Sequence, residues 1–340
     1  MFETLIGNEP VKSFISKLLQ TGRFPNAILF AGPSGVGKRA FALETAKAFV
    51  CSGGGCGECA ACRRAGRLTI PKPDKRDDFK EVTFTEHPDV GMVVPFNRNI
   101  LVDAIRNLET EAHFRPYEAQ ARVFIVDNAD KMNDAASNAL LKTLEEPATT
   151  SYLILVTSRP DSLLQTIRSR CQTIRFAPVA ANEIERHLID SGKFAADDAA
   201  FAARLSGGSV AKAIGTDVEK MRAARDAMLG VIENVLTKRV AAALQTAERM
   251  NDAKNKDDFE ENLGVLEGLI RDAWLLRNGA DSSSLTNADI SVRLQTISSG
   301  ANSATLAAWL SEIELMREHF VVNINRKIAT DACFVEMAGV

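Results

Sequence analysis

The sequence predicts an α/β domain built on a parallel sheet, followed by an all-helical region. Three observations carry that expectation. Short, continuously apolar runs recur at Ala27–Ala31, Gly91–Val94, Val123–Val126 and Tyr152–Val156. Helical or turn-rich stretches separate them, the alternation expected of parallel strands joined by crossover helices. From Val179 onward the strand signal stops, and apolar residues recur at helical spacing between glycine breaks such as Ser206-Gly207-Gly208-Ser209 and Asn278-Gly279.

The first strand, Ala27–Ala31, runs straight into GPSGVGKRA, residues 32–40, and then into a segment whose Phe41, Leu43, Ala46 and Phe49 fall on one helical face. Strand, glycine-rich loop and helix form the context in which a phosphate loop works. Gly32, Gly35 and Gly37 let backbone N–H groups curl around phosphate oxygens, and Lys38 neutralises them. The next position, which normally supplies a Ser or Thr hydroxyl to magnesium, holds Arg39. Descent from a phosphate cradle therefore does not imply hydrolysis.

Four of the six cysteines follow at once, as Cys51, Cys56, Cys59 and Cys62. Repeated C-x2-C spacing on a glycine-rich turn points to metal in a reducing compartment, and four thiolates complete a closed, structural zinc shell. A ferredoxin-type cluster lacks its further C-x3-C-P. Cys171 and Cys333 are isolated and suit small buried positions. The stretch from Arg63 to Glu81 mixes charges of both signs with prolines and is expected to be an exposed loop.

The run Arg122–Val126 ends on Asp127, the place where an NTPase holds magnesium, and the following residue is Asn128. An amide cannot take up the proton of an attacking water, so the cleft lacks a second catalytic group. Lys38, Asp127 and Thr157 all fall at the carboxyl ends of strands, where such sheets bind ligands. Beyond the sheet, two helical stripes stand out: Phe259, Leu263, Leu266, Ile270, Trp274, and Leu306, Trp309, Ile313, Met316, Phe320, Ile324. Both are expected to be core or oligomer-packing faces.

The bulk composition narrows the function classes. The 340 residues are 46% hydrophobic and 25% charged, which suits a globular chain of two or three domains. A net charge of −3 argues against a free-standing polyanion binder. No apolar run reaches membrane-spanning length and the start has no leader pattern, so a soluble cytoplasmic protein with no membrane partner is expected.

The segment DAASNALLKTLEEPATTSYLILVTSRPDSLLQTIRSRCQTIRF, Asp134 to Phe176, resembles the AAA+ clamp-loader subunits of bacterial DNA polymerase III. The similarity also takes in FETLIGNEPVKSFISKLL, the phosphate loop, the cysteine cluster, His87-Pro88-Asp89 and Ser169-Arg170-Cys171, and beyond about residue 215 only helical character and Asn323–Arg326. The resemblance implies a RecA-like domain over 1–178, a helical lid over 179–219 and a helical collar over 220–340. It implies that Lys38 and Asp127 border a nucleotide pocket, that Thr157 is its first sensor, and that the four cysteines hold zinc, with a gap after Cys51 shorter than the family's. The second sensor arginine is missing, since Gly208-Ser209-Val210 leads to Ala211 and Lys212. Ser169-Arg170-Cys171 would present Arg170 across a subunit interface to a neighbour's ATP, a task that suits a permanently charged, forked guanidinium.

The implied partners are the gamma/tau and delta subunits in a hetero-pentamer, with sliding clamp and primed DNA reached through the complex. The sequence admits three functions: a non-hydrolysing loader subunit, an active gamma/tau-like ATPase, and an independent zinc-dependent nucleic-acid binder. The surviving loop and Lys38 leave open whether ATP binds without being split.

Overall fold

A computed structural model describes residues 1–252, 258–321 and 325–339. The chain divides into two compact units, one made of Met1–Ala195 with Ser206–Ile214 and the other of Ala196–Leu205 with Gly215–Val340.

The first unit is built on a six-stranded sheet of β1 (Ala27–Ala31), β2 (Thr83–Phe84), β3 (Val90–Val93), β4 (Arg122–Val126), β5 (Ser151–Thr157) and β6 (Gln172–Arg175), in the order β2-β3-β4-β5-β1-β6. Five strands are parallel, and the two-residue β2 pairs antiparallel with β3 at one edge. Each parallel run expected from sequence is a strand, shifted by a residue or two at its ends. β2 was not expected, because two residues are too few to carry a periodicity.

Alternate residues of the central strands enter different cores. Ile28, Phe30, Val123, Ile125, Ile154 and Val156 pack on one side with Phe41, Ala46 and Phe176. Leu29, Ala31, Phe124, Val126, Leu153 and Leu155 pack on the other with Ile105, Leu108, Leu140 and Ile167. Helices cover both faces, so strands with no polar face are the only ones that avoid burying unpaired polar groups. β6 pairs on one side only, and its Gln172, Thr173 and Arg175 are exposed.

The second unit contains helices Ala196–Leu205, Val218–Leu236, Val240–Asn251, Phe259–Arg277, Ser291–Gly300, Ser303–Val321 and Arg326–Ala338. Both apolar stripes point into its core: Phe259, Leu263, Leu266 and Ile270 are buried, as are Leu306, Trp309, Ile313 and Met316. Trp274 and Phe320 pack partly buried against them, and Ile324 and Asn323 lie outside the described residues. Asp272, buried mid-helix, accepts hydrogen bonds from the backbone N–H groups of Thr286 (3.2 Å) and Asn287 (2.8 Å) and from the Asn287 amide (2.9 Å). Those bonds tie the connector after residue 280 to the helix. No strand follows Arg175 among the described residues, and no helix there is long and apolar enough to cross a membrane.

Candidate functional site

The phosphate loop follows β1 and opens the helix Lys38–Val50. Gly37 stands at the helix N-cap with φ 97°, and Gly35 has φ 77°, backbone that a side chain rarely adopts. At Gly35 space is also lacking, since a Cβ would lie 2.0 Å from Ser209 Oγ. The segment after Ser206 thus closes against the loop, and Ala211 N–H donates to the Gly35 carbonyl at 3.0 Å. A cleft of about 390 Å³ lies here, lined by Gly35, Lys38, Arg39, Asp127, Thr157 and Ala211 among others.

Lys38, Asp127 and Thr157 of this cleft are engaged within the chain. Lys38 Nζ is buried and donates to the carbonyls of Gly32 (2.7 Å) and Pro33 (2.5 Å). Burial pushes its ammonium pKa down, while the carboxylates of Asp127 and Asp130 pull the other way. Asp127 directly follows β4, at the strand end where it was expected. Its carboxylate lies 3.5 Å from Arg39 Nη1, and burial raises its pKa against the stabilising field of Arg39. Asn128 follows in the left-handed conformation with φ 52°. Thr157 turns its hydroxyl to Asp130 Oδ1 at 2.7 Å, and Arg159 holds Asp130 Oδ2 through Nε (3.2 Å) and Nη2 (3.1 Å). Asp130 and Arg159 were missed as site residues in the sequence, where a carboxylate four residues past a strand end carries no motif.

This donor set does not fit the divalent ion that a phosphate-loop fold implies. The hydroxyl ligand is replaced by a guanidinium, and the remaining carboxylate ligand already faces that guanidinium.

The cysteines do converge. Cys51 caps the end of the phosphate-loop helix, Cys56 and Cys59 lie on the turn, and Cys62 lies in the helix Ala60–Ala65. The Cys51 Sγ lies 3.6 Å from those of Cys56 and Cys59, Cys56 lies 4.0 Å from Cys62, and all four sulfurs fall within 4.8 Å of one another. A tetrahedral ion bound at about 2.3 Å sets sulfurs about 3.8 Å apart, so the four thiols suit one metal ion. The short gap after Cys51 is therefore no obstacle. Burial raises the pKa of Cys51, but backbone donors at Cys56, Gly55 and Gly53 outweigh it and bring the thiol to about 6, whereas burial lifts Cys62 to about 12.

Ser169 and Arg170 end the helix Gln165–Arg170, exposed, and Cys171 is buried, its thiol pushed up to about 12. Arg170 Nη2 pairs with Glu145 Oε1 at 2.8 Å, and Nη1 donates to the Thr166 carbonyl at 3.1 Å. Ser169 Oγ donates to the same carbonyl at 3.1 Å. Arg170 lines a second cavity of about 170 Å³ with Ala27, Ser151 and Gln172, the first residues of β1, β5 and β6. Lys38 and Thr157 lie at the carboxyl ends of those strands, so Arg170 and the phosphate loop occupy opposite ends of the sheet, roughly 13 Å apart along the strands.

A doubly covered sheet with β1 between β5 and β6, a phosphate loop after β1 and an aspartate closing β4 defines a phosphate-loop protein of the AAA+ class. The chain belongs to the DNA polymerase III delta subunit family: that family's profile matches residues 7–180, and the profile of the family's C-terminal region matches residues 222–335. Among curated relatives, the delta-prime subunit of Pseudomonas aeruginosa is 29% identical over 336 residues, covering 95% of each chain. The delta-prime subunit of Bacillus subtilis is 34% identical over 180 residues, which span 53% of this chain and 50% of that relative. The tau subunit of Bacillus subtilis is 33% identical over 187 residues, 54% of this chain and 30% of the relative.

Proposed function

We propose that this chain is a non-hydrolysing subunit of the DNA polymerase III clamp loader that lends Arg170 in trans to a neighbour's ATP. The observation that carries this reading is the ion pair between Arg39 and Asp127 beside Asn128. With no metal-ligating hydroxyl and no water-activating acid, the cleft lacks the charge stabilisation that phosphoryl transfer needs. Arg170 supports the second half of the reading, because it sits at the opposite end of the sheet from its own cleft and is held there by exposed Glu145, a partner that water or a triphosphate readily replaces.

In this reading residues 179–219 act as a lid and 220–340 as a collar, joining gamma/tau and delta subunits in a hetero-pentamer that acts on the sliding clamp and primed DNA. The four cysteines hold a structural zinc ion, which ties the turn after the phosphate-loop helix to the domain without an open coordination position. Similarity to tau over 54% of the chain supports the alternative of an active loader ATPase.

The test is to assemble the loader with Arg170→Ala and measure DNA-stimulated ATP hydrolysis. A trans arginine is worth roughly 10³–10⁵ in turnover at the site it serves. Turnover should fall while the assembly stays intact by size-exclusion chromatography; unchanged turnover defeats the assignment. Phosphate release by the purified chain alone decides against the non-hydrolysing reading.

A further inference from the structure

The first turn of the phosphate-loop helix places two cations side by side, and the structure gives them different partners. Lys38 folds back onto the Gly32 and Pro33 carbonyls. Arg39, half-exposed, reaches over to Asp127, whose side chain is only 9% exposed. Asp127 spends its other favourable contact on its own neighbour, accepting from Asn128 N–H at 3.1 Å. The second carboxylate of the neighbourhood, Asp130, is occupied by Thr157, by Ser158 N–H and by two nitrogens of Arg159.

We infer that Arg39 is the resident counter-cation of Asp127 and shuts divalent metal out of the cleft, so that any phosphate the cleft accepts, it accepts bare. The inference rests on the non-hydrolysing reading and goes past it: that reading says what the cleft cannot do, and this one names the residue that decides which form of ligand it meets. A divalent ion entering beside Asp127 would have to displace the guanidinium, and would then sit between it and the Lys38 ammonium with a single carboxylate to offset four positive charges. A nucleoside polyphosphate meets the opposite balance. Lys38 and Arg39 outweigh Asp127 by one positive charge, and Asp130 is neutralised by Arg159, so an anion is favoured without its metal.

The experiment is calorimetric titration of the full chain with ATP, once with magnesium and once with no added divalent ion, omitting chelator so that the cysteine cluster keeps its metal. The same pair of titrations is run on Arg39→Thr, which restores the hydroxyl and frees Asp127; thermal melting shows that the variant is folded. For the wild-type chain, affinities that agree within about fivefold in the two conditions support the inference. Tighter binding with magnesium by more than about fivefold overturns it. If the wild-type chain shows no binding in either condition, the variant decides: magnesium-dependent binding gained on Arg39→Thr supports the inference, and no gain overturns it. Phosphate release followed on the same samples reports separately on the non-hydrolysing reading, so the two can fail independently.

Discussion

Arg122 is fully buried at the head of β4, and replacing it with methionine should destabilise the first unit by about 3 kcal/mol. The figure follows from its surroundings. The guanidinium pairs with Glu111 Oε2 (2.9 Å), lies 3.7 Å from Asp89 Oδ1, donates to the Glu111 carbonyl (2.6 Å), and stacks near the rings of Phe84, Tyr117 and Phe124. Breaking a buried pair typically costs about 3–5 kcal/mol, because one charge is left uncompensated. Here that charge is Asp89, also fully buried, but it keeps the backbone N–H groups of Tyr117, Glu118 and Ala119 at 2.8–2.9 Å. Those donors hold the cost at the lower end, and Glu111, partly exposed, regains water. A loss of about 3 kcal/mol in a unit of this size lowers its melting temperature by roughly 6–12 °C. Arg122→Lys keeps a positive charge near Asp89 and should lose about half as much. Differential scanning calorimetry of the three proteins is the assay. A methionine variant that loses less than about 1 kcal/mol, or a lysine variant that loses as much as the methionine one, refutes the electrostatic account and leaves shape and packing in its place.

Elemental analysis should find about one zinc per chain, and Cys62→Ser, which removes a buried ligand, should abolish it and lower the melting temperature; a stoichiometry unchanged by that substitution means the cluster is not the site. Gly35→Ala should cost about 1–3 kcal/mol by thermal melting, because it combines a left-handed backbone with a Cβ placed against Ser209; a neutral effect means that the segment after Ser206 moves aside freely. Asp272→Ala removes the acceptor for three donors at residues 286 and 287 and should cost about 2–3 kcal/mol, read as an earlier melting transition of the helical unit. Lys38→Ala should leave turnover of the assembled loader nearly unchanged under the proposed reading, since its ammonium is held by the Gly32 and Pro33 carbonyls beside Arg39 and Asn128; a large loss in a phosphate-release assay means that the cleft is active.

Much of this protein is local chemistry and so was legible in the sequence. A strand buried on both faces must be continuously apolar, so the positions of β1, β3, β4 and β5 can be read from the sequence. A phosphate loop is a contiguous motif, so the substitutions at Arg39 and Asn128 announced themselves. What only tertiary structure decided is where distant groups meet. Parallel pairing of β4 with β5 and of β5 with β1 brings Asp127 to Arg39, 88 positions earlier, and turns a missing hydroxyl into an ion pair. The same packing sets the Thr157 hydroxyl on Asp130 at the edge of the cleft, and folds Cys51 back onto its three companions across the short gap. Spacing along a chain encodes faces and turns, whereas electrostatic partnership is set by distance in space, and only the assembled sheet supplies that distance.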